Sequence, residues 1–238
     1  MTGSAVLRGR FRLASAGVVA AIAVINVGNH LLGPPWWVHP IEGAALLGWA
    51  RLDGLSWAQL GLGRDRLGAG LRWGLGVIGV VAAVYLIGVL LPFARPAFQD
   101  ARYHLPLPEV LKTAFVVIPL GTVVLEELAF RSVLWGVLSR HARPWQVLVS
   151  TSVLFGLWHL LPALSNGSSN RGLSDTVGSG GAGVAVATVA ITTVGGLVFG
   201  ELRRRSGSVL ASAGAHWAFN ALGVLFGLLA WHLAGPAG

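Results

Sequence analysis

Val123-Val124-Leu125-Glu126-Glu127-Leu128-Ala129-Phe130-Arg131 is the stretch on which the fold turns. Two adjacent carboxylates and a guanidinium stand in the middle of an apolar run over residues 113–138, long enough to cross a bilayer. Ionisable groups at that depth are expensive in lipid, so they face a partner, a cavity or a reaction. The rest of the chain is therefore read as a search for what they face.

The surroundings are those of a membrane protein. The 238 residues are 54% apolar and 11% charged, where a soluble domain carries about 25% charge. Mean hydropathy is +0.71. The expectation is one all-α, polytopic membrane helix bundle of about 7–8 transmembrane helices over residues 1–238, with a catalytic core in 113–234. No cysteine is present, which removes disulfides, thiol catalysis and cysteine-ligated metals. The net charge of +8 does not point to nucleic acid. Its arginines flank apolar runs, as membrane topology requires.

Apolar runs fall at 13–32, 68–91, 113–138, 145–164, 184–200 and 208–234, with a shorter one at 38–50 that is either a short span or a re-entrant helix. The first follows Arg8, Arg10 and Arg12 and reads as an uncleaved helix, because its only Ala-x-Ala lies inside it. His39 and Glu42 stand where a membrane boundary falls. Residues 51–67 read as an interfacial amphipathic connector, 92–112 as a loop, 165–183 as a flexible Ser/Gly/Asn loop, and 201–205 as a basic loop. Gly70 and Gly74, and Gly196 and Gly200, are spaced for close helix packing. With seven spans, twelve arginines fall on the side of the N-terminus and four basic residues opposite. That asymmetry places the N-terminus in the cytoplasm and the protein in the cell membrane as a multi-pass chain.

Three spans carry polar groups away from their ends. Glu127 and Arg131 stand at i, i+4 and share a helix face, while Glu126 lies about 100° round the helix. One acid can thus be neutralised by Arg131 while the other points elsewhere. Phe155 and His159 share a face of the fifth span, counting the short run at 38–50, and His216 and Asn220 a face of the last. At 1.5 Å per residue from the cytoplasmic ends, His216, Glu126 and His159 lie at roughly 12, 18 and 22 Å, compatible with one site.

A carboxylate and an imidazole in a dry cavity can activate water, and a second imidazole with an amide can donate hydrogen bonds to an oxyanion. Alternatively, Glu126, His159 and His216 form a two-His, one-carboxylate set for zinc. Both routes lead to hydrolysis, most naturally of an amide. No His-Glu-x-x-His is present, Gly61-Leu62-Gly63 precedes arginine rather than aspartate, and Gly178-Ser179-Gly180 falls in a loop.

Glu126-Glu127-x-x-x-Arg131, Phe155-x-x-x-His159 and His216-x-x-x-Asn220, in this order and on apolar spans, resemble the three motifs of the CPBP family, the CAAX proteases and bacteriocin-processing (Abi) enzymes. The resemblance covers about residues 113–225. It implies a membrane endopeptidase in which Glu126 and His159 activate water, His216 and Asn220 stabilise the oxyanion, and Glu127, Arg131 and Phe155 hold the site. It leaves open a zinc mechanism and a metal-free one. CAAX members have eight spans, which implies a further helix in 51–67 or 92–112. The Arg/Ala/Gly/Val-rich composition points to a GC-rich bacterium, where a peptide, a bacteriocin-like leader or a membrane protein is the expected substrate rather than a prenylated one. Two rivals remain. One is a non-catalytic immunity or scaffold protein of the same fold. The other is a proton-coupled transporter, which predicts an internal hydropathy repeat that the sequence lacks.

Overall fold

The computed structural model describes residues 3–166 and 181–235. The expected loop at 165–183, with Gly178-Ser179-Gly180 and Arg171, lies almost wholly outside them. Among the described residues there are helices and no β-strand.

The helices are α1 (Gly3–Leu32), α2 (Val38–Leu52), α3 (Leu67–Leu90), α4 (Leu107–Leu138), α5 (Pro144–Ser165), α6 (Ala182–Ser206) and α7 (Val209–Ala234). Six of them are long and apolar enough to cross a membrane. The exception is α2, whose 15 residues reach about 22 Å. It nevertheless runs between the two ends of the bundle. Glu42 near its start accepts from Asn29 at the end of α1, and Asp53 after its end pairs with Arg140 beyond α4. Ser15 of α1 also meets His141. The loops around residues 53, 140 and 207 therefore share one end of the bundle with the start of α1, the end that collects most of the arginines.

Three sequence expectations change. The connector at 51–67 is not an amphipathic helix: Gly54 and Gly61 adopt φ of +87° and +73° and fold it into turns. Its Leu55 and Leu60 are fully buried and meet α4 at Gly136. The basic stretch 201–205 is the last turns of α6, held helical by Glu201 pairing with Arg204 and Arg205 and ended by left-handed Gly207. Among the described residues neither 51–67 nor 92–106 holds a further span, since the first folds into turns and the second contains only short 3-10 turns.

The bundle is organised around α4, which is wound partly in i→i+5 turns at 113–117, 119–123 and 127–134. Such windings are rare and occur mostly at functional sites. Pro119 has no N–H, so a carbonyl one turn back is left without its helical donor. The Ala114 carbonyl instead accepts from the Trp217 indole of α7 at 2.9 Å. The Gly121 carbonyl takes the His39 ring of α2, and the Arg131 carbonyl takes Arg203 of α6 at 3.0 Å. Three neighbouring helices thus dock on the backbone of α4.

Close helix contacts fix the remaining angles. A Cβ on Gly214 would lie 3.0 Å from the Gly74 Cα, so α3 and α7 touch backbone to backbone. One on Gly196 would lie 3.0 Å from the Ser152 Cα, bringing α5 against α6 equally closely. Gly74 and Gly196 each come from a glycine pair read in the sequence, but their partners Gly214 and Ser152 do not, and together they let two helices approach as larger side chains would not.

Candidate active site

Glu126 and Glu127 are both buried and diverge as their helix positions require. Glu127 faces inward. Its Oε1 lies 3.4 Å from Arg131 Nη1 and 3.0 Å from His216 Nδ1. The Arg131 guanidinium is sandwiched among aromatic rings, with its Cζ 3.9 Å from the Phe155 centroid and 5.1 Å from that of Phe199. A delocalised, weakly hydrated cation suits that setting as an ammonium would not.

Glu126 faces the cavity. Its Oε1 accepts from the Trp158 indole at 3.0 Å. Its Oε2 is buried without a hydrogen-bond partner and lies 3.6 Å from His216 Nε2 and 3.9 Å from His159 Nε2. A buried carboxylate oxygen is rarely left unpaired, and one such atom facing two imidazoles marks a place for a ligand or water.

The histidines are held by their other ring nitrogens. His159 Nδ1 lies 2.8 Å from the Phe155 carbonyl, which can only accept, so Nδ1 carries the hydrogen and Nε2 of the neutral ring is an acceptor. His159 sits where α5 breaks, its backbone N–H bonding Gly156. Pro162 explains the break: without its N–H the Trp158 carbonyl is left free, and Asn26 of α1 donates to it at 2.9 Å. His216 is oriented by Glu127 and stacks on Phe199 with centroids 4.9 Å apart.

Asn220 lies one turn beyond His216 on another i→i+5 winding, 218–222. It lines a cavity of about 690 Å³ together with Glu126, His159 and Trp158. The cavity extends to Arg102 and Tyr103, at the end of the bundle opposite the arginine-rich loops. Arg102 forms a bidentate pair with Asp100, which raises its pKa, and burial raises that of Tyr103.

Of the residues singled out in the sequence, Glu126, His159 and His216 meet around one point, Asn220 lines the same cavity, and Glu127, Arg131 and Phe155 form a layer behind them. Sequence reasoning missed Trp158 and Phe199. An indole N–H inside an apolar span needs an acceptor, and that was the available signal for Trp158. Phe199 carried none.

Residues 108–222 match the family model described as Type II CAAX prenyl endopeptidase Rce1-like. The matched stretch, 115 of the 238 residues, is thus similar to that family. The match spans every residue of the three polar motifs and ends at Leu222, two residues past Asn220. Comparison with curated proteins and with solved structures returned no match. The similarity supports, at the level of the family, peptide-bond hydrolysis by a protein embedded in the membrane.

A zinc ion would draw on Glu126, His159 and His216. Tetrahedral coordination at about 2.1 Å sets neighbouring donor atoms about 3.4 Å apart. The two edges seen here are 3.6 and 3.9 Å, and among the described residues no group of three His, Cys, Asp or Glu side chains is arranged to hold an ion. The three side chains thus stand somewhat wider than a tetrahedral zinc site. The spacing of Glu126 and His159 also suits one water that donates a hydrogen to each.

Proposed function

We propose that the protein is a metal-free intramembrane endopeptidase that uses a water held between Glu126 Oε2 and His159 Nε2. The observation that carries this reading is the unpartnered, buried Glu126 Oε2 facing two imidazoles on the floor of a polar cavity. The water oxygen attacks the substrate carbonyl carbon while its proton passes to Glu126. The His216 side chain stands beside the oxyanion and stabilises it together with the Asn220 amide, which donates a hydrogen bond. Collapse breaks the C–N bond as Glu126 returns the proton to the leaving nitrogen, giving a free carboxylate and a free amine. Glu127 and Arg131 keep His216 in place and balance charge.

The substrate in this reading is a peptide or membrane protein of a bacterial cell, with no nucleic-acid partner. The positive-inside bias puts the N-terminus in the cytoplasm, so the cavity opens on the outer face of the cell membrane. Substrates would then arrive after export, as a leader peptide or an exposed membrane-protein segment does. Thiol labelling of single cysteines placed in 91–106 from outside intact cells tests this orientation, and protection of those sites refutes it.

The first experiment compares membrane-protein and secreted-peptide termini in cells carrying wild type or Glu126→Gln. Termini that vanish in the variant identify the protease and its substrate. Equal termini from equally abundant proteins would instead support a non-catalytic scaffold of the same fold. Activity of the purified protein is expected to survive dialysis against EDTA and 1,10-phenanthroline. Loss that zinc restores would overturn the metal-free mechanism and make Glu126, His159 and His216 ligands.

A further inference from the structure

A second cavity, of about 560 Å³, reaches Glu126 from the opposite side. It shares Thr122, Glu126, Trp158 and Pro162 with the cavity that holds Asn220, so the two meet at the reacting carboxylate. Its outer wall comes from the α1–α2 hairpin, through Asn26, Asn29, His30 and His39. All of these precede the family match at 108–222. Each cavity is within the range of about 300–1,000 Å³ typical of ligand sites.

His39 is the informative residue in this wall. Its Nδ1 bonds the Gly121 carbonyl, which can only accept, so Nδ1 is the donor and Nε2 of the neutral ring is an acceptor. That Nε2 is buried and has no hydrogen-bond partner. A buried acceptor without a donor is costly unless something fills the cavity and donates to it. Gly121 stands five residues before Glu126 on α4, about 7.5 Å along the helix. An extended peptide rises about 3.3 Å per residue, so that separation corresponds to two residues of substrate.

We infer that the α1–α2 cavity is a second arm of the substrate site, in which His39 Nε2 accepts a hydrogen bond from a main-chain N–H two residues from the scissile bond. The substrate passes through the site as an extended chain, one flank beside Asn220 and the other beside His39, as internal cleavage requires and as a closed terminal pocket would forbid. His39 is a positioning residue here. The inference rests on the endopeptidase reading above.

The probe is a fluorophore-labelled peptide spanning a cleavage site whose terminus vanishes in Glu126→Gln cells, with each amide near the scissile bond replaced in turn by an ester. In wild type the ester two residues away, which lacks the N–H, raises KM about two- to tenfold with kcat nearly unchanged, the worth of one hydrogen bond. His39→Ala raises KM by the same factor and abolishes the effect of the ester. His39→Gln, which keeps polar atoms at the site, recovers part of it and guards against a folding defect. Ester and His39→Ala effects that multiply, or an unchanged KM in both, overturn the assignment.

A binding readout separates this from the chemistry. The chain has no cysteine, so Asn29→Cys and Ser165→Cys each place a lone thiol on the arm. Bound peptide is expected to slow the reaction of both with a small charged maleimide. Protection without cleavage leaves the arm standing and overturns the hydrolytic reading. Cleavage with neither protection nor a His39 effect overturns the arm alone, and a peptide that is neither cleaved nor protective overturns both.

Discussion

Replacing Arg131 by alanine tests the layer behind the site. Arg131 and Glu127 are each 1% exposed, and their closest approach is 3.4 Å. Removing the cation leaves a buried carboxylate with His216 and Ser212 beside it and no guanidinium. Breaking a buried ion pair from one side costs about 3–5 kcal/mol. Loss of the stacking on Phe155 and Phe199 adds to this, but it arises from the same cation, so about 4 kcal/mol is a fair total. For a chain of this size each kcal/mol moves Tm by about 2–4 °C, which predicts a fall near 10 °C. The double variant Glu127→Gln, Arg131→Met removes both charges and should recover roughly half of the loss, because a buried pair is worth little relative to apolar groups of the same volume. The assay is thermal unfolding in detergent followed by tryptophan fluorescence, for which the chain supplies ten indoles. An Arg131→Ala protein within about 2 °C of wild type would refute the reasoning. So would a double variant no more stable than the single one. A stable but inactive Arg131→Ala protein would mean that the roles of the two carboxylates are exchanged.

Glu126→Gln should lower peptide hydrolysis by about a hundredfold or more, the usual worth of a general base, with Tm little changed; retained turnover would remove Glu126 from that role. Trp158→Phe keeps the edge contact with Phe130 but loses the hydrogen bond to Glu126 Oε1, and kcat/KM should fall about tenfold or more. An unchanged rate would show that the indole does not orient the base. Gly214→Leu should fail to accumulate as folded protein, because even a Cβ there would stand 3.0 Å from Gly74 Cα, whereas Gly79→Leu, with no neighbour within 4 Å, should be tolerated. Equal yields of the two would argue against the α3–α7 backbone contact.

The sequence by itself determined the class of fold and most of the polar inventory. Long apolar runs can only be helices in lipid, since every backbone group must bond within its own segment. The rarity of charge at that depth made Glu126, Glu127 and Arg131 conspicuous, and helical spacing placed Glu127 and Arg131 on one face. Glycine pairs announced the close contacts because a missing side chain is visible in one dimension. What the tertiary structure decided were relations between distant segments. That α2 runs between the two ends of the bundle depends on Asn29 meeting Glu42 and on Arg140 meeting Asp53. The winding of α4 could not be read from a 3.6-residue period. It depends on donors from three other helices, Trp217, His39 and Arg203, that take carbonyls the helix itself leaves available. The pairing of Glu126 with Trp158 and the layer of Phe199 beneath His216 join residues more than thirty positions apart or from different spans, and no local pattern encodes such contacts. The His39 arm was hidden for the same reason. A histidine near a helix start reads as a boundary residue until the bundle closes and places its free nitrogen in a cavity that reaches the catalytic carboxylate.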